Sequence, residues 1–124
     1  MQMSTIGVSG LLLGGGISYF ANKKGWACDN VASYEVVTAS GVIVTASPTA
    51  YPDLYWALRG GGNNFGVVTK FNLNAFPIGD MWGGSRIYSP ENFPQALDAI
   101  YNFAGNSASD LEAANILVSY MYFR

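Results

Sequence analysis

Two glycine-rich runs constrain this chain more than any other feature. Residues 7–16 read G-V-S-G-L-L-L-G-G-G, and residues 58–69 read L-R-G-G-G-N-N-F-G-V-V-T. Glycine at this density lets backbone approach a ligand closely, and positive φ can turn successive N–H groups inward toward phosphate oxygens. The same density also serves the packing of backbone on backbone, so both uses stand open for the first run. Neither run is a G-x-G-x-x-G fingerprint, and the P-loop pattern G-x-x-x-x-G-K-[ST] is absent. After Gly60, Gly61 and Gly62, Phe65 stands where a third fingerprint glycine would be. Arg59 reads as a helix-dipole partner or a solvated charge rather than a phosphate ligand. Asn63 and Asn64 read as turn residues tolerant of left-handed backbone.

Between the runs, residues 34–39 and 42–46 are β-rich, and Ser40-Gly41 suggests a two-residue hairpin turn. Residues 4–8 read as a short strand and residues 17–21 as a helical turn ending near Asn22 and Gly25. Residues 51–58 read as a short helix, with Pro52 suited to its first turn and Asp53 to its positive end. Residues 67–75 alternate as a strand, with Val67, Thr69, Phe71 and Leu73 on one face. A boundary falls at residues 76–80, punctuated by Pro77 and Gly79. Beyond it we expect a strand at residues 81–88 and a helix opened by Ser89-Pro90-Glu91-Asn92 and running to Phe103. Phe93, Ala96, Leu97, Ile100 and Ala104 lie at helical spacing in that stretch. A last strand is expected at residues 115–123. The architecture implied is α+β, with a mixed sheet bearing the glycine loops and the opening of a second sheet.

Composition narrows the classes. The 124 residues suit one ordinary domain. Half are hydrophobic and only 11% are charged, against about 25% in a typical soluble domain. So few charges suit a piece of a larger fold whose other parts cover its apolar faces. A membrane span is not expected, because glycine and polar residues interrupt every apolar stretch. The N-terminus lacks the basic region of a signal peptide, and localisation is undetermined. A net charge of −2 offers no footprint for nucleic acid. With no histidine and one cysteine, Cys28, the chain contains neither a histidine-based triad nor a zinc ligand set. If the protein is an enzyme, a cofactor carries the chemistry or the catalytic residues lie elsewhere.

Three stretches in order carry a resemblance: G-V-S-G-L-L-L-G-G-G, then G-W-A-C-D-N-V-A-S-Y-E-V-V-T-A-S-G, then P-D-L-Y-W-A-L-R-G-G-G-N-N-F-G-V-V-T. Together they resemble the berberine-bridge-enzyme-like oxidoreductases, fungal ones above all. These have an FAD-binding domain of the vanillyl-alcohol-oxidase or p-cresol-methylhydroxylase (PCMH) type. The resemblance implies an α+β fold: the C-terminal half of a PCMH-type FAD-binding domain in residues 1–78, then the start of a substrate-binding domain in residues 79–124. It implies FAD as cofactor, contacted by Gly7, Val8, Ser9, Gly10 and Leu11, by Ile17, and by the backbone of Val68. It implies oxidation of a small organic substrate by hydride transfer to flavin, often with dioxygen as acceptor. Met3 stands where many members carry a flavin-linking cysteine, and the linking histidine would lie upstream of Met1. No catalytic residue carries over. Cys28 reads as a buried structural thiol. The alternative expectation is a truncated, catalytically silent chain with weak or no FAD binding.

Overall fold

The computed structural model describes residues 7–115. Its centre is a three-stranded antiparallel sheet in the order β2-β1-β3, built from β1 (Val31–Val37), β2 (Ile43–Ala46) and β3 (Val67–Leu73). All pairings among the described residues are antiparallel, which corrects the expectation of a mixed sheet. Helix α1 (Val8–Leu13) and α2 (Ala21–Lys24) precede the sheet, α3 (Pro52–Leu58) joins β2 to β3, and α4 (Phe93–Asn106) follows it. The α+β class is as expected.

The hairpin is present, but its loop is longer than expected. The Thr38 N–H donates to the Val42 carbonyl at 2.9 Å, and the Gly41 N–H donates to Thr38 O at 2.9 Å. This closes a three-residue loop ending at Gly41, whose φ of 79° suits a glycine bulge.

Two irregularities set which side chains reach the core. On β1, Val31 pairs with Leu73 but Ser33 pairs with Asn72, so Ala32 is an extra residue. This places Val31 with Tyr34 and Val36 among the buried residues. On β3, Val36 pairs with Val68 and Glu35 with Lys70, so Thr69 is extra. Its hydroxyl donates to Glu35 Oε1 at 2.7 Å. The bulge breaks the expected alternation. Val68 and Phe71 pack on the core, whereas Val67 and Leu73 are exposed.

The core joins Leu12 and Leu13 of α1, Leu58 of α3, and Val31, Tyr34, Val36 and Ala46 of the sheet. That burial explains why Val8 opens a helix rather than ending a strand, and why the first glycine run is helical as far as Leu13. Docking two leucines offsets the cost of a helical Gly10, up to about 1 kcal/mol. Residues 4–6 lie outside the described part. Residues 81–88 form no strand. Trp82 and Ile87 are almost fully exposed, and no described segment offers them a ladder partner. The strand expected at residues 115–123 falls, apart from Asn115, outside the described residues. Helix α4 forms behind a 3-10 turn at Pro90–Asn92, with only Ala96 buried on its apolar stripe.

Tyr34 is fully buried, stacked edge-on against Phe71 at 5.5 Å, and its hydroxyl has no hydrogen-bond partner among the described residues. Burial pushes its phenol up to about 12, with Cys28 and Tyr55 adding to the shift. An unfolded tyrosine ionises near 10. The stabilisation is therefore complete below pH ~10 and is lost as pH rises toward ~12, by roughly 2–3 kcal/mol. Tyr34→Phe should remove that alkaline loss and stabilise the protein at neutral pH by about 1 kcal/mol. Urea melts at pH 8 and 11.5 measure both effects. An unchanged difference between the two pH values in the variant would refute this account of Tyr34.

Candidate functional site

The two glycine runs meet. The Gly62 N–H donates to Leu13 O at 2.9 Å, and a Cβ on Gly60 would lie 4.0 Å from Gly15 N. Gly15, Gly16, Gly60 and Gly62 all have positive φ. Between the runs lies an open cavity of about 550 Å³, lined by Gly14, Gly15, Gly60 and Gly61 together with Trp26, Trp56, Arg59 and Phe65.

The hydrogen bonds separate two jobs for these glycines. The amides of Gly14, Gly15, Gly61 and Gly62 already donate to Gly10 O, Leu12 O, Ala57 O and Leu13 O. The carbonyls of Gly15 and Gly16 accept from Cys28 and Ala27 at 2.8 Å. At these positions glycine serves close packing. A Cβ on Gly16 would sit 2.8 Å from that of Ala27.

The start of α1 differs. In α1 the Leu11 N–H donates to Gly7 O, so Val8, Ser9 and Gly10, in the first turn, have no acceptor within the helix. Gly7, Val8, Ser9 and Gly10 are exposed, and a Cβ on Gly10 would meet nothing within 4 Å. Such an N-terminal turn, at the positive end of its helix dipole, suits an anionic oxygen.

Of the other expected positions, Leu11 is half-buried on α1 and Ile17 is exposed. Ile17 lines a second, smaller cavity with Tyr19, Phe103 and Ala104. Val68 is half-buried on β3, opposite Val36. None of the seven expected residues is among those lining the cavity between the glycine runs. That cavity's aromatic lining was missed in the sequence, where Trp26 and Trp56 lie in segments that show no common face.

The sequence reading of Arg59 needs correction. Its guanidinium is partly exposed but not free: Nη2 donates to Asp29 Oδ1, and the group lies 5.7 Å from the Tyr55 ring centroid. The hydrogen bond to Asp29 holds its pKa above the ordinary arginine value. Cys28 is buried, and its thiol is pushed up first by that burial and then by Asp29. Among the described residues no acidic or thiol cluster could hold a metal ion, and no helix is long and apolar enough to cross a membrane.

Over about half its length the chain has the FAD-binding fold of the VAO-type and berberine-bridge-enzyme-like flavoproteins. Residues 2–47 match the model of the FAD binding domain family. The chain is 50% identical to the FAD-dependent monooxygenase tpcD of Cochliobolus heterostrophus over 88% of its own length and 21% of the relative's. It resembles the solved VAO-type flavoprotein of Myceliophthora thermophila (TM-score 0.51, 47% identity, 52% of this chain and 12% of that one). It also resembles BBE-like 1 of Physcomitrella patens (TM-score 0.54, 40% identity, 56% of this chain and 15% of that one). The chain thus spans about a fifth of the length of the curated relative. The family resemblance read from the three ordered motifs stands, with FAD as the cofactor of this fold.

Proposed function

We propose that this chain supplies one wall of the FAD site of an oxidoreductase that oxidises a small organic molecule by hydride transfer to flavin, a reaction in which dioxygen is often the acceptor. Residues 1–78 are the FAD-binding portion and residues 79–124 the opening of a substrate-binding domain. Bound FAD supplies the hydride-accepting ring. This chain's own part is to bind and orient it. The backbone of Gly7, Val8, Ser9 and Gly10, with Leu11, Ile17 and Val68, makes the contacts. The observation that carries this reading is the exposed first turn of α1, whose amides have no acceptor within the helix, held beside Gly14, Gly15, Gly61 and Gly62, whose amides are bonded to protein carbonyls.

Gly10→Ala tests it. Alanine favours a helix over glycine by about 0.8–1 kcal/mol, and its methyl enters open space, so stability should hold or rise. FAD affinity should nevertheless fall about tenfold, equivalent to roughly 1.4 kcal/mol, as read by flavin fluorescence titration. Equal affinity in variant and parent would exclude this turn from the cofactor contact.

The 124-residue chain on its own is proposed to be catalytically silent and to hold FAD only weakly. The exposure of Trp56, Trp82 and Ile87 favours this reading, because such surface calls for further covering structure. The purified chain should be colourless. Stoichiometric yellow flavin after purification would contradict it.

A further inference from the structure

We propose that Asp29 and Arg59 form a positioning clamp that holds the second glycine run against the first, and so sets the placement of α1 for its nucleotide ligand. The inference rests on the cofactor reading above.

The geometry behind it is a short chain of contacts. Asp29 follows Cys28, whose N–H is bonded to Gly15 O at 2.8 Å. Asp29 Oδ2 accepts from the Trp26 N–H at 2.9 Å, and a Cβ on Gly25 would lie only 2.8 Å from that same oxygen. One carboxylate oxygen is thus fixed to the segment that follows the first glycine run. The other accepts from Arg59, the residue immediately before Gly60, Gly61 and Gly62. Arg59 lies beside the Tyr55 ring, and the Tyr55 hydroxyl donates to Val31 O at 2.7 Å, tying the arginine's neighbour to β1. The pair therefore joins the segment bonded to the first glycine run to the residue that opens the second, and the Gly62 to Leu13 bond links the two runs directly. Arg59 acts here through the backbone it holds in place.

The test uses the full 124-residue chain and two readouts. Amide hydrogen exchange at Gly62 reports the contact between the runs without any ligand, and FAD titration reports the binding face. D29N keeps an oxygen for the Trp26 N–H while removing the charge. R59M removes the donor, and R59K restores a charge and a donor. In D29N and R59M, Gly62 exchange should speed up about fivefold and FAD affinity should fall by a similar factor, the scale of a partly exposed ion pair. R59K should recover most of both, with the β1 amides of Tyr34 and Val36 unchanged throughout. Unchanged Gly62 exchange in D29N and R59M would overturn the clamp. Faster Gly62 exchange with unaltered FAD affinity would overturn its positioning role. A parent chain with Gly62 protected but no response to FAD at any amide would overturn the cofactor reading and the positioning role with it. That result is distinct from loss of the clamp, because Gly62 is read without FAD.

Discussion

Gly66→Ala is expected to destabilise the chain by about 3 kcal/mol. Gly66 has a φ of 142°, which L side chains rarely adopt. A Cβ there would also lie 2.6 Å from the Val37 carbonyl oxygen and 2.8 Å from Val36 Cγ1. The oxygen belongs to the central strand and cannot retreat without opening the β1–β3 ladder. Gly41→Ala provides the internal control. Its φ of 79° is also positive, but nothing lies within 4 Å of its Cβ position. It should cost only about 1 kcal/mol, the backbone component alone. Urea denaturation of the two variants separates strain from collision. Equal losses would show that the Val37 contact is relieved without cost.

Leu58→Ala should be comparably severe, at about 2–5 kcal/mol. Leu58 is fully buried at the end of α3, where it packs with Leu13, Tyr34 and Val36 in the same core. Truncation removes the apolar contact and leaves a void that the sheet on one side and α1 on the other fill only partly. Against a typical stability of roughly 5–15 kcal/mol this is a large fraction, so the variant's urea midpoint should fall well below that of the parent. Leu97→Ala, on the exposed side of α4, should change the midpoint little. A Leu58 variant as stable as the Leu97 variant would show that α3 does not close the core.

What was legible in the sequence, and what was not, follows from how local each signal is. Pro52 and Asp53 marked the start of α3, and Ser89-Pro90 marked the turn into α4, because capping chemistry is read from neighbouring residues. Gly41 marked the hairpin but not its loop length, since the loop is set by pairing across β1 and β2. The bulges at Ala32 and Thr69 left no local trace. They are visible only in the register between strands distant in sequence, and the one at Thr69 moved Val67 out to solvent. The strand expected at residues 81–88 had β-prone composition but no described partner, and composition alone does not supply a ladder. The glycine runs were visible at once, yet their division into packing glycines and an open helix turn depended on which carbonyls their amides reach. The cavity lining was hidden for the same reason: Trp26, Arg59 and Phe65 come from separate segments, and only the folded chain joins them.

The central claim is that the first turn of α1 faces the flavin nucleotide while the packed glycines behind it do not. An amide-resolved NMR titration of the 124-residue chain with FAD tests it most directly. The amides of Val8, Ser9 and Gly10 should shift first and along one saturating curve, while those of Gly15, Gly61 and Gly62, already bonded to protein carbonyls, stay largely in place. Saturable shifts centred on α4, with residues 8–10 silent, would contradict the account.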